Sequence, residues 1–484
     1  MKIILNIIEF IFSSKFSPIN SEDNKMKYLQ LLTIISSFLV FTFCNTSVDA
    51  QTESYKGWKA GVSRVIITPD EPLWMAGYAN RDHPSEGKIV DLWAKALALQ
   101  DSVGKQVVLV TADLVGIPKT LSDHIRDQLK RKFNLSRSQI AINTSHTHTG
   151  PVLTNALVDI YPVDSGQQQK IDEYTNKLGE KIVALVDKAL HTMQPVKLYA
   201  NNGVTRFEVN RRNNVESTLS SQSQLNGPND YAVPVIKVES MKGELIAVAF
   251  GYACHNTVLA GYKWSGDYAG FAQLDLEKSH PGATALFLQG SGGDQNPLPR
   301  RTIQLAQQYG QDLAAAVDRV LGEDMKQLSP HLTTAYSEVE LPLNTPPTKK
   351  ELLKKEAESS GYEKRWATHL LNKINKGESL RTSYPYPVEA WKLGDQTVII
   401  LGGEVVVEYA IELKRIFGQN IFVLGYSNDV MSYIPTAKIL QEGGYEGATS
   451  QMVYGLPNTW KSNIEAIILQ QVLKVAKEAG IPTL

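Results

Sequence analysis

The stretch QIAINTSHTHTGP (Gln139–Pro151) carries the pattern on which the reading of this chain turns. A short apolar run, Ala141–Asn143, gives way at once to a polar segment holding His146 and His148 and then to a Thr-Gly-Pro turn. The same grammar recurs four times downstream. ELIAVAFGYAC is followed by His255, TALFLQ by GSGGDQNP with Asp294 and Asn296, TVIILGG by Glu404, and NIFVLGY by Asn428, Asp429 and Tyr433. Apolar runs of this length are read as buried strands. In open α/β sheets ligands bind beyond the carboxyl ends of such strands. A core has no reason to place three of the nine histidines, a glutamate and a tyrosine at these points, so they are expected to converge on one cleft.

Strands are expected at 94–99, 107–111, 139–143, 245–252, 283–288, 397–401 and 420–424. Helices are expected at 122–133, 167–192, 302–321, 348–359, 405–417 and 462–479. Short strands interleaved with long amphipathic helices predict an α/β or α+β fold, with mixed sheets flanked by helices and the site at the carboxyl ends of strands. The polar stretch 344–376 reads as an exposed insertion or hinge with one capped helix.

In an extended segment residues i and i+2 share a side, so His146 and His148 are expected to face one ion or one substrate. An H-x-H pair by itself also suits a solvated surface or a satisfied core histidine. A distant histidine and a carboxylate added to it make a common catalytic zinc set with a position left for water, and His255 and Glu404 are the residues to complete it. The metal would activate that water. Asp113, Asp267 and Asp294 are expected in supporting roles, such as orienting a ligand's second nitrogen, or in capping and turn chemistry. The glycines of GSGGDQNP match neither the P-loop nor the dinucleotide fingerprint; they suit a close backbone approach, an anion nest or a tight turn.

Composition sets the limits around this site. The chain has 484 residues, 43% of them hydrophobic and 20% charged, with 49 basic and 50 acidic side chains. That is enough apolar material for a core, and the charge balance argues against a nucleic-acid partner. Two cysteines make neither a disulfide framework nor a Cys-rich zinc module. The first fifty residues read as an upstream extension followed by a secretory signal peptide that starts at Met26. It has a basic Lys27, an apolar run over 29–43 and cleavage after Ala50. The expected protein is therefore exported, periplasmic or secreted, with a catalytic domain over 51–484. The apolar run falls short of the ~20 residues a membrane span needs, so no stable transmembrane anchor is expected. Cys44 offers a lipoprotein alternative, against which bulky Phe43 stands.

Taken in order, the motifs resemble the neutral (non-lysosomal) ceramidase family in its N-terminal catalytic domain. The resemblance starts at AGVSRVIITPDEPLWMAGYA (60–79) and runs through INTSHTHTGP, VNRR, ACHNTVL, SGDYAGFAQ, GGDQNP, GGEVVVEYA and YSNDVMSYIPTAKILQEGGYEGATS. It implies His146, His255, Glu404 and Tyr433 as zinc ligands and His148 as the group that moves protons beside the metal. It also implies Tyr445 near the scissile bond and Arg211 as a holder of the substrate's polar head. The implied reaction is hydrolysis of an N-acyl amide in a ceramide-like lipid.

Two departures accompany the resemblance. Asn296 stands where the family carries a serine, which a zinc–water mechanism survives and a serine-nucleophile mechanism does not. The full-length ceramidases also continue into a C-terminal β-sandwich, whereas this sequence stops soon after its last catalytic motif. A second reading therefore keeps the zinc site and changes the substrate, to a carbohydrate or another polar amide or ester. A third reading is a non-catalytic zinc- or glycan-binding protein. The partner in the first two is a small-molecule or lipid substrate.

Overall fold

Alternation along the strands builds a layered molecule. The computed structural model describes residues 55–484 together with Glu22 and Met26. The apolar run of the leader, its cleavage position and Cys44 lie outside the described residues. Eight strands of the larger sheet are β1 (Trp58–Ile66), β2 (Trp93–Gln100), β3 (Gln106–Ala112), β4 (Ile140–Thr144), β5 (Gln194–Val204), β6 (Ala232–Ser240), β7 (Leu245–Tyr252) and β8 (Thr284–Gln289). They lie in the order β8-β7-β6-β5-β1-β2-β3-β4, and a two-residue strand, Lys326–Gln327, pairs with β5. The outer pairs β8–β7 and β3–β4 are parallel, and every pair between them is antiparallel. A smaller sheet contains β9 (Leu332–Pro342), β10 (Ser383–Leu393), β11 (Gln396–Leu401) and β12 (Phe422–Leu424), with β11–β12 parallel.

Successive side chains on a strand point to opposite faces, and each face of the larger sheet has its own core. Leu97, Leu99, Val107, Leu109, Val238, Ala247 and Leu286 join Trp391, Val398, Ile400 and Phe422 of the smaller sheet in one apolar layer. The intervening Ala94, Ala96, Val108, Val110, Ile140 and Ile142 pack against helices α1 (Lys119–Phe133) and α2 (Ser165–His191). Val233, Val235, Val248, Phe250, Ala285 and Phe287 pack against α3 (Asp267–Ser279) and α4 (Ile303–Leu321). The outer face of the smaller sheet, with Val388, Ala390, Ile399 and Leu401, is covered by α7 (Val407–Phe417) and α8 (Ile464–Glu478). The layers are thus helix, sheet, sheet, helix, as the expected mixed sheets flanked by helices require.

The segment expected as a hinge with one helix is a pair of helices with its own small core. In α5 (Lys349–Glu358) Thr348 and Glu351 form a capping box. In α6 (Gly361–Asn375) Trp366, Leu370 and Leu371 close over Leu352. Trp366 Nε1 donates to Leu456 O at 2.9 Å, which docks the pair on the molecule. Its core takes Leu352 from α5 and Trp366, Ala367, Leu370 and Leu371 from α6, and in the sequence these are interspersed with lysines and glutamates. Among the described residues no helix is long and apolar enough to cross a membrane.

Two polar knots tie the sheets together where the site is built. Asn143, at the end of β4, receives Gln289 N at 2.8 Å and donates to Gly425 O at 2.8 Å, so the ends of β4, β8 and β12 meet at one side chain. Behind it, Glu389 on β10 accepts from Asn428 Nδ2 (2.7 Å), Trp391 Nε1 (2.8 Å) and Arg126 (3.3 Å), all buried. Burial lifts the Glu389 carboxyl to about 7, against the pull of Arg126. Removing one partner of such a knot strands the others. Glu389→Ala should lower unfolding free energy by about 3–5 kcal/mol, measured from urea midpoints.

Candidate metal centre

His146 leaves β4 in a conformation that the extended-segment expectation does not describe. Its φ is +58°, a left-handed backbone that non-glycine residues adopt at a cost. The turn carries the chain over the end of the strand, and the two imidazoles still converge, with their Nε2 atoms 3.1 Å apart. They meet because the backbone reverses, not because the segment is straight.

His255 arrives from the end of β7 and Glu404 from the turn after β11. Glu404 Oε2 lies 3.1 Å from His146 Nε2 and 3.1 Å from His255 Nε2. Tyr433, paired in parallel with Glu404, brings its hydroxyl to 3.2 Å from His255 Nε2. His146, His148 and His255 present ligand atoms within 4.8 Å of one another. The expected ligands His146, His255, Glu404 and Tyr433 are therefore together, with His148 beside them.

The protons decide what this cluster can hold. His146 Nδ1 lies 2.5 Å from Val115 O, and His255 Nδ1 lies 2.6 Å from Gly292 O. A carbonyl only accepts, so both Nδ1 atoms carry hydrogen and both neutral rings turn an Nε2 lone pair inward. Those lone pairs face a carboxylate oxygen, acceptor against acceptor. Charging the His255 ring is disfavoured: burial, reinforced by Arg211, brings it down to about 4. Burial opposes ionisation of Glu404, and only charged, donating rings at His146 and His255 would hold its carboxyl well below the usual range, which the carbonyl-fixed neutral tautomers do not supply. A divalent cation reconciles the set. Ligands bound about 2.0–2.1 Å from a tetrahedral ion lie about 3.3 Å from one another, close to the separations seen here. The acceptors that orient the rings are backbone carbonyls, so the expected aspartates serve elsewhere. Asp294 accepts Val407 N and Asn210 Nδ2, Asp267 accepts Leu259 N, and Asp113 accepts Trp93 N, which is capping and turn chemistry.

His148 stands at the open side of the cluster. Burial and the neighbouring His146 and His255 keep its pKa well below the ordinary histidine value, and its Nδ1 has no partner among the described residues. The Tyr78 ring meets it edge-on at 4.8 Å, and Arg81 NH2 donates to its carbonyl at 2.8 Å. Gly77, at φ +106°, passes so close that a Cβ there would sit 2.4 Å from the imidazole. Gly293 has a similar task on the other side: a Cβ would fall 2.7 Å from Glu404 O. The glycines of GSGGDQNP thus serve close backbone approach.

Arg211 spans the remaining edge. It donates to Glu446 Oε1 at 2.7 Å and to the Tyr433 hydroxyl at 3.0 Å, and it lies 3.4 Å from both Asn296 Oδ1 and His255 Nε2. Burial raises the Tyr433 phenol, and the guanidinium opposes that rise. Tyr445, 46% exposed, sets its ring 5.4 Å from that of Tyr433 and marks the mouth. Four residues of the site escaped sequence reasoning. Tyr454 donates a short bond to Glu404 Oε1, the Tyr426 ring lies tilted against His146 with centroids 4.5 Å apart, Glu446 fixes Arg211, and Arg81 fixes the His148 loop. Tyr426 and Glu446 lie inside motifs already quoted; Tyr454 and Arg81 carry no signal in sequence.

Known proteins share this arrangement of strands. Residues 58–316 match the family model described as neutral/alkaline non-lysosomal ceramidase, N-terminal. The neutral ceramidase of Drosophila pseudoobscura pseudoobscura is 23% identical over 234 residues, 46% of this chain and 32% of its own length. Neutral ceramidase 2 of Arabidopsis thaliana is 28% identical over 147 residues, 30% of this chain and 19% of its own length. The aligned region spans about a third or less of these curated relatives. The crystal structure of neutral ceramidase from Pseudomonas aeruginosa superposes with a TM-score of 0.69 at 18% identity, covering 88% of this chain and 75% of that one. With more than half of its length matched by the family model and its fold matched by that structure, the chain belongs to the neutral/alkaline non-lysosomal ceramidase family.

Proposed function

We propose that the protein is an exported zinc-dependent hydrolase that cleaves the N-acyl amide bond of a ceramide-like lipid. The observation that carries the reading is the 3.1–3.2 Å spacing of inward-facing donors from His146, His255, Glu404 and Tyr433, with His148 and Arg211 at their edge. Zinc, when bound by those four residues, supplies Lewis acidity for the carbonyl and a water activated at neutral pH.

The chain's own groups would do the rest. His148 is largely neutral and next to the cluster, so its ring nitrogen takes the proton of the attacking water and returns it to the leaving amine. Tyr445 donates its hydroxyl hydrogen to the oxygen on which negative charge grows. Arg211, pinned by Glu446, holds polar groups of the substrate in a fixed orientation. Asn296, against Arg211, offers an amide where the family has a serine. That favours a second reading, in which the same centre acts on a carbohydrate or another polar amide or ester. Export rests on the leader pattern of the first fifty residues, and the catalytic domain is taken as 51–484.

Purified protein should carry about one zinc per chain by elemental analysis, and chelation should abolish hydrolysis. His146→Ala should lose both metal and activity. His148→Ala should keep the metal and lose about 10²–10⁴ in kcat; wild-type turnover would refute the proton-transfer role. Gly77→Ala, which pushes on the His148 ring, should lower kcat about 10–100-fold with zinc content intact. A panel of short-chain ceramide, simple amides, esters and glycosides decides the substrate. The amide reading expects turnover of ceramide, and turnover of glycosides alone would replace it with the carbohydrate reading.

A further inference from the structure

Glu404 presents its two oxygens to different surroundings. Oε2 lies 3.1 Å from both His146 Nε2 and His255 Nε2, with the Tyr426 hydroxyl 3.5 Å away, at the edge of hydrogen-bonding range. Oε1 accepts the hydroxyl hydrogen of Tyr454, its one hydrogen bond among the described residues. Tyr454 also lines a cavity of about 580 Å³ to which none of the four expected ligands, His148 or Arg211 contributes. One phenol therefore stands between the ligand carboxylate and the space behind it.

That phenol is held from outside the centre. Tyr454 sits in a tight turn, where Tyr454 N and Leu456 N both bond Gln451 O, at 3.2 and 3.0 Å. The helix pair grips this turn two residues to either side of Tyr454. Met452 packs against the small core of Leu352, Trp366, Leu370 and Leu371. Trp366 Nε1 donates to Leu456 O at 2.9 Å. The insertion that reads as a polar hinge in sequence is thus linked to Glu404 through one indole, one turn and one hydroxyl.

We propose that Tyr454 is a positioning residue for the metal centre, holding Glu404 so that Oε2 alone serves as the ligand oxygen, and that α5 and α6 brace it there. The inference rests on the zinc reading above. Hydrogen bonds to a ligating carboxylate orient it and set metal affinity. Without the phenol hydrogen, Oε1 is left unpaired beside the cavity, and the carboxylate can meet an ion through either oxygen or both.

Zinc dissociation constants of the full-length protein, measured by competition with a chromophoric chelator, test the assignment. Tyr454→Phe removes the hydroxyl and keeps the ring. It should weaken zinc about 10–100-fold, with circular dichroism unchanged. In the cobalt-substituted variant the visible bands should weaken, the signature of a higher coordination number. Tyr426→Phe, at the long contact to Oε2, should stay within about threefold of wild type. Trp366→Phe, which cuts the brace at Leu456 O, should weaken zinc about threefold or more. An unchanged constant in Tyr454→Phe, or an equal loss in Tyr426→Phe, would overturn the role of Tyr454. An unchanged constant in Trp366→Phe would overturn the brace, and it decides the proposal alone if Tyr454→Phe does not fold. A wild-type protein that takes up no zinc would refute the metal reading itself; zinc-binding wild type beside an indifferent Tyr454→Phe refutes only this inference.

Discussion

Two backbone carbonyls, Val115 O and Gly292 O, govern the chemistry of this molecule. By accepting the Nδ1 hydrogens of His146 and His255 they leave each imidazole one way to face the cleft, lone pair first. Everything nearby is arranged around that constraint. Glu404 cannot share a proton with either ring, so its charge and their lone pairs point at a common centre. Carbonyls suit this role better than carboxylates would. They fix the tautomer without adding a further negative charge to a buried site that already contains one.

The constraint reaches the fold because the carbonyls and the ligands belong to different layers. Val115 follows β3, Gly292 follows β8, and Glu404 follows β11 in the other sheet. Holding them within hydrogen-bonding distance requires the ends of both sheets to meet. Asn143 does this with a single amide, and the Glu389 knot braces the same corner from behind. The left-handed turn at His146 is sustained by this frame, which holds a strained backbone in place at a residue that is not glycine.

Much of this was legible in the sequence. Every apolar run that ends in a polar cluster is a strand ending at the site, because buried parallel strands are short and uniformly apolar. Antiparallel strands with one partly solvated face were harder: β5, with Pro195, Asn201, Asn202 and Gly203, and the long β9 and β10 carry polar residues that break up the run. The gathering of His146, His255, Glu404 and Tyr433 followed from their positions after strands. The turn at His146 did not, since a positive φ is imposed by tertiary contacts and leaves no residue-type signature in Ser-His-Thr. Tyr454 was hidden for a related reason. It lies beyond the motifs and reaches Glu404 only through the folding of the 445–456 segment over the smaller sheet.

The wide sequence spacing of the four donors has a consequence for assembly. Residues 146, 255, 404 and 433 are brought together by pairings across nearly the whole described chain, so no early, local piece of the protein contains a metal-binding constellation. Loop closure on that scale is slow, and an ion cannot template it. Once both sheets are joined, however, an ion bound there would draw the unfolded population down by mass action and stabilise the corner where the sheets meet. The centre would then act as a lock closed last, so that its occupancy reports completed folding of the whole domain.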